Sequence, residues 1–199
     1  MLGQNLNRIF RKSERPTTYE EKLANELCGL VDAHDALLDI HSTAAPGPFN
    51  LFIDYPTPKN QAFADALDAE VVILDWPAVY KNTPHSFDSY TSDWYAHEAG
   101  KTGILIECGQ HSDPGSVEVS EQSILRALSH FGIIEPILDV NTKTNETPKR
   151  TVQMTHVFKK EGEGDRFLQD WNHLESIFRG TPIAERESGE QICAETQCV

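Results

Sequence analysis

One stretch, Thr102 to Cys108 (TGILIEC), constrains the fold more than any other part of the chain. An apolar run this continuous and this short suits a strand covered on both faces, which is the habit of parallel sheets flanked by helices. Gly109 follows and predicts a sharp backbone turn at the strand's end. Glu107 places a charge near the end of this apolar run, and a carboxylate buried there without a partner is costly unless it is paired, neutralised or near a metal.

The surrounding pattern supplies helices to cover such a sheet. Pro16 to Val31 predicts an amphipathic helix, opened by Thr17 and Thr18 with Glu20 and Glu21 in the first turn. Ala36 to Ile40 reads as a buried strand delivering His41 into a loop. Asn60 to Leu67 reads as a helix, Glu70 to Leu74 as a strand, Asp75 to Tyr90 as a long loop and Ser92 to Ala99 as a helix. Ser120 to Phe131 predicts a capped helix with Ile124, Leu125, Leu128 and Phe131 on its packed face. Strands alternating with helices define an α/β domain around a mainly parallel sheet.

Past residue 138 the character changes. Asp139 to Lys149 is rich in turn formers and reads as a linker. Beyond it the expected arrangement is a small β-rich module over residues 151–199, with TVQMTHVFKK alternating like a strand and a hairpin around Ser188 and Gly189. The domain expectation is therefore 1–138, linker 139–150, and 151–199.

A net charge of -14 disfavours nucleic acid and anionic membrane surfaces as partners. No stretch reaches the apolar length that spans a bilayer. The four cysteines form no CxxC pair and nothing at the start reads as a secretory signal, so free thiols in a cytoplasmic setting are expected. An oligomer is compatible with all of this.

Three local patterns carry chemistry. In DIHS, Asp39 can fix the ring of His41 for metal binding, provided a local twist brings both to one side of the strand; a surface histidine is the bland alternative. Glu107 is placed to act as a general base, or else simply reaches solvent. Asn7 and Arg8 in LNRIF offer an amide and a guanidinium fork for a carboxylate, or a helix cap with a surface arginine. His111 reads as a loop residue.

Taken in order, LNRIF, a helix, LLDIHST and then GILIECG resemble the succinylglutamate desuccinylase and aspartoacylase family, relatives of the zinc carboxypeptidases. The C-terminal FRGTPIAERESGEQICAE is similar to that family's β-rich second domain. The resemblance implies a zinc-carboxypeptidase-like α/β fold, a mixed and mainly parallel sheet flanked by helices, followed by a partial β-rich domain. It also implies zinc as cofactor, with His41 as a ligand, Glu107 as catalytic acid and base, and Asn7 with Arg8 binding the substrate's carboxylate. The substrate implied is a small-molecule N-acyl amino acid, hydrolysed at its amide.

The sequence departs from the family's pattern in three places. None of the eight histidines has a glutamate three positions later, so the family's HxxE ligand pair is missing. The oxyanion arginine expected before the Asn-Arg pair is also missing, and Asn5 replaces the aspartate of DLNR. One histidine does not hold a catalytic zinc, which generally takes three protein ligands. The expectation is a fragment lacking an upstream HxxE segment and the C-terminal end, weak or inactive as it stands. A carboxypeptidase-like peptidase and a non-catalytic module that has lost its metal ligands are the alternatives.

Overall fold

The computed structural model describes residues 3–81, 90–136 and 149–198. The chain divides into two compact units, Met1–Thr155 and His156–Val199. The first is built on a five-stranded sheet. In chain order its elements are α1 (Leu6–Ile9), α2 (Tyr19–Ala33), β1 (Ala36–Thr43), β2 (Asn50–Ile53), α3 (Pro58–Leu67), β3 (Val71–Leu74), α4 (Trp76–Lys81), α5 (Ser92–Glu98), β4 (Thr102–Gln110), α6 (Gly115–His130) and β5 (Arg150–Gln153).

The strand order is β1-β4-β2-β3-β5, all parallel to their neighbours except β2 against β4. The sheet is thus mixed and mainly parallel, as expected. Side chains alternate across a strand, and this sorts β4 into two faces. Ile104, Ile106 and Cys108 join Phe63 and Leu67 of α3 and Ala127 of α6 in one core cluster. On the other side α2 and α5 contribute Cys28, Val31 and Ala96 to a second cluster.

α2 begins with a reciprocal capping box, Thr18 accepting from the Glu21 N–H while Glu21 accepts from the Thr18 N–H. Two of the four otherwise unpaired donors at this helix end are satisfied in this way.

Several expectations need correction. The strand at Ala36 is only half-buried: β1 runs to Thr43, among the described residues it has β4 as its one neighbour in the sheet, and Ile40 is 37% exposed. Its apolar residues are half-buried against the helices that cover it only in part. β2 escapes a periodicity reading, being four residues close behind a Pro-Gly-Pro segment. Within the expected loop after Asp75, Trp76–Lys81 is helical, and residues 82–89 lie outside the described ones. Gly109 does not end β4 but sits inside a bulge, where β4 uses three steps from Glu107 to Gln110 against two from His41 to Thr43. Its φ of 122° suits glycine, and a Cβ there would lie 2.9 Å from Ser116 Oγ.

α6 presents a different face from the one the apolar spacing predicts. Ser116, Ser123 and Ala127 are buried, while Ile124 and Phe131 are 43% and 39% exposed. Small residues allow close approach to the sheet, and the Ser123 hydroxyl is satisfied within its own helix by Val119 O at 2.8 Å.

The predicted linker lies almost wholly outside the described residues, and the strand read at its end pairs with β3 in the large sheet. The second unit carries β6 (Arg166–Phe167), β7 (Pro182–Glu185) and β8 (Gln191–Cys193) as an antiparallel sheet. β7 and β8 form the hairpin expected at Ser188 and Gly189, with Gly189 at φ 85° in the turn.

Candidate active site

On the α5 face of the first unit's sheet lies a cavity of about 180 Å³, whose lining includes Asn7, Arg8, His41, Phe52, Asp54, Trp76, Asp93, Leu105 and Glu107. All four residues singled out from the sequence therefore meet in one place. The register explains two of them: His41 of β1 pairs directly with Glu107 of β4. Alternation places Asp39 and Leu105 one step back on the same face, so no local twist is needed to bring Asp39 beside His41.

Asp39 Oδ1 lies 3.1 Å from His41 Nε2. Its other oxygen accepts from the Ser92 hydroxyl. Burial opposes ionisation of Asp39, but the hydrogen bonds from His41 and Ser92 outweigh it and hold the carboxyl below its ordinary range. The hydrogen bond to Asp39 in turn raises the His41 pKa against the opposing effect of burial. With Nε2 engaged, Nδ1 is the ring nitrogen left for a ligand.

Glu107 Oε2 is buried with no hydrogen-bond partner. Burial pushes its pKa up, helped by Asp39 and opposed by His41 and His111. A carboxylate so placed is a stronger base than one in water. His111 itself lies exposed in the turn after β4, with Nδ1 2.8 Å from Ser42 Oγ.

Asn7 and Arg8 arrive on α1, which is anchored by the Phe10 N–H to Tyr90 O at 2.8 Å and by Arg11 stacked 4.0 Å over the Tyr90 ring. Asn7 Oδ1 accepts from the Ser92 N–H at 2.8 Å, leaving its NH₂ free of that bond. Arg8 Nη1 donates to Asn7 O at 2.7 Å, which holds one edge of the fork. Arg8 is close enough to His41 to disfavour the imidazolium.

The sequence reading overlooked Ser92, Asp54 and Asp93. Polar residues at a helix start are the usual capping pattern, so Ser92 and Asp93 behind Thr91 gave no separate signal. Asp54, directly after a strand, looks like a turn residue.

Among the described residues no three His, Cys, Asp or Glu side chains converge on a point where they could hold a metal. Among the described residues His41 is the one imidazole lining the cavity. These residues alone do not make the three-ligand site that catalytic zinc requires.

A model of the succinylglutamate desuccinylase/aspartoacylase catalytic domain matches residues 1–130, and the chain belongs to that family of deacylases. Solved structures agree on the fold. Succinylglutamate desuccinylase/aspartoacylase from Rhodobacter sphaeroides superposes with a TM-score of 0.70 at 16% identity, over 98% of this chain and 61% of that one. The product-bound ectoine utilization protein EutE (DoeB) from Ruegeria pomeroyi gives 0.67 at 20% identity, over 98% and 60%. Murine aminoacylase 3 gives 0.57 at 22%, over 99% and 70%. The chain thus spans about three fifths of the length of the two bacterial proteins. No curated protein matches it in sequence. Among the described residues no helix is long and apolar enough to cross a membrane.

Proposed function

We propose that the chain serves hydrolysis of the amide bond of small N-acyl amino acids, with zinc as the metal and His41 as one of its ligands. The observation that carries this reading is the meeting of Glu107, His41 and Arg8 in one cavity. Zinc in such enzymes supplies Lewis acidity and an activated water. Tight zinc binding would need donors beyond the described residues.

Glu107 takes a proton from the attacking water and returns it to the leaving amine. Its burial raises its pKa against the opposing charge of His41, so activity falls on the acid side as it protonates. Arg8 holds the substrate's carboxylate and Asn7 offers an NH₂ donor, turning attack into an almost unimolecular event. Asp39, fixed by Ser92, orients the His41 ring.

Glu107→Gln keeps the shape and removes the base. Turnover of N-acyl amino acids in the presence of zinc is expected to drop by about 10²–10⁴-fold, the usual worth of a general base. Near-normal turnover in that variant sinks the assignment. The missing metal donors favour a second reading, a non-catalytic binding module. Absence of any zinc-stimulated turnover, with N-acyl amino acids still bound through Arg8, would select it.

A further inference from the structure

The end of the cavity remote from Glu107 holds two carboxyl groups that the proposed reaction does not use. Asp54 follows β2, and Asp93 stands in the first turn of α5. Asp93 is only 3% exposed. Both line the cavity, and the Oδ1 atoms of both are buried without a hydrogen-bond partner. None of the ion pairs among the described residues involves either.

The fold forces this arrangement. A Cβ at Gly103 would meet Ala96 Cβ at 2.8 Å and Asp93 Cα at 3.3 Å. Glycine at that position lets α5 lie directly on β4, which carries the Asp93 carboxyl down to the sheet opposite Asp54. Burial, then the charge of Asp93 and a hydrogen bond to it, push the pKa of Asp54 up to about 8 against the Trp76 N–H, so that the pair relieves its repulsion by keeping a proton at neutral pH. A pair of this kind carries one negative charge, and beyond the Trp76 N–H at Asp54 its two Oδ1 atoms have no donor among the described residues.

Two buried acceptor atoms on a singly charged pair suit a cation with N–H donors. Among the described residues no third His, Cys, Asp or Glu converges on the two carboxyls, so they lack the further protein donors of a zinc or calcium site. Phe52 and Trp76, packed edge to face at 5.2 Å, line the same cavity and suit the hydrocarbon next to an ammonium. We propose that Asp54 and Asp93 form a recognition site for a protonated primary amine, so that the cavity takes substrates bearing a carboxylate for Arg8 and an ammonium for this pair. Position on the strand fits: Gly103 and Glu107 are four residues apart on β4, roughly 13 Å at strand rise, the span of an extended small molecule. The carboxylate half of this statement rests on the proposed function; the ammonium half does not.

The two halves separate in calorimetric titrations of the 199-residue chain at neutral pH. n-Butylammonium probes only the acidic pair, and n-butanol is its neutral match. The amine is expected to bind saturably and the alcohol not, and Asp93→Asn and Asp54→Asn should each weaken the amine by at least about tenfold, the worth of a charged hydrogen bond. Equal binding of amine and alcohol, or amine binding unchanged in both variants, overturns the inference, whatever the deacylase assay shows. Should either variant unfold, the amine-against-alcohol comparison on the unaltered chain still decides. N-acetylnorleucine, which lacks the amine, probes Arg8 alone: its loss in Arg8→Ala supports the carboxylate half, and its unchanged binding there overturns that half.

Discussion

The two units solve the same problem with different materials. The first buries Leu51, Ile53, Phe63, Leu67, Ile104 and Ile106 almost completely. In the second, Ala194 is the one buried apolar side chain among the described residues. That unit is tied together instead by Arg186, which donates to Lys159 O, Asp165 Oδ2 and Glu161 Oε1, and by Asp165, which also accepts the N–H groups of Glu161, Gly162 and Glu187. A stretch of 44 residues, His156–Val199, is too short to hide much apolar surface, so directional polar contacts take over. The first unit keeps Asp54 protonated beside Asp93, whereas the second needs Asp165 ionised.

The largest expected effect is on the apolar side. Phe63 is fully buried between α3 and α6, where it contacts the rings of His130 and Phe131. Phe63→Ala should cost about 3–5 kcal/mol in urea unfolding of the first unit. A loss under 1 kcal/mol would mean that this core is looser than its burial indicates. Next comes Gly103→Ala, where the clash with Ala96 and the Asp93 backbone is expected to cost about 1–3 kcal/mol. It should also loosen α5, visible as faster hydrogen exchange across Ser92–Glu98.

Smaller still are the pH slopes, and the two units should slope in opposite directions. The raised pKa of Asp54 means that the native first unit keeps a proton the unfolded chain has released, so stability falls as pH rises through the native value. The slope is at most about 1.4 kcal/mol per pH unit for one proton, and Asp54→Asn should abolish it. Asp165 is held well below its usual range by the Glu161 N–H, Arg186 and further backbone donors. Its contribution is complete above the ordinary carboxylate range and is lost as pH falls toward the depressed native value. Asp165→Asn should flatten that acid limb, the smallest of these effects. Region-resolved hydrogen exchange across a pH series checks both, and parallel slopes in the two units would break the contrast.

How far the sequence discloses this molecule depends on how local each feature is. β4, α2, α3 and the β7–β8 hairpin carry their own periodicity, caps and turns, and were readable. Glu107 stood out because a charge interrupts an apolar run. β2 and α4 are short and owe their structure to neighbours. The buried face of α6 is set by how closely a helix can approach the sheet, which favours Ser123 and Ala127 over Ile124. Asp54 and Asp93 are 39 positions apart in the numbering and meet only because α5 rests on Gly103. No single stretch of residues encodes that meeting.

The chain of contacts from Asn7 through Ser92 and Asp39 to His41 has a consequence for the order of folding. Asn7 and Ser92 are 85 residues apart, and Ser92 and Asp39 are 53 apart. Contacts across such separations close large loops, whose entropic cost must be met before they are rewarded. The imidazole at position 41 therefore acquires its fixed orientation only when α1, α5 and β1 have come together. Its ring protons are a natural clock for the last stage of assembly, and they should sharpen in a refolding experiment after the β4 amides are already protected.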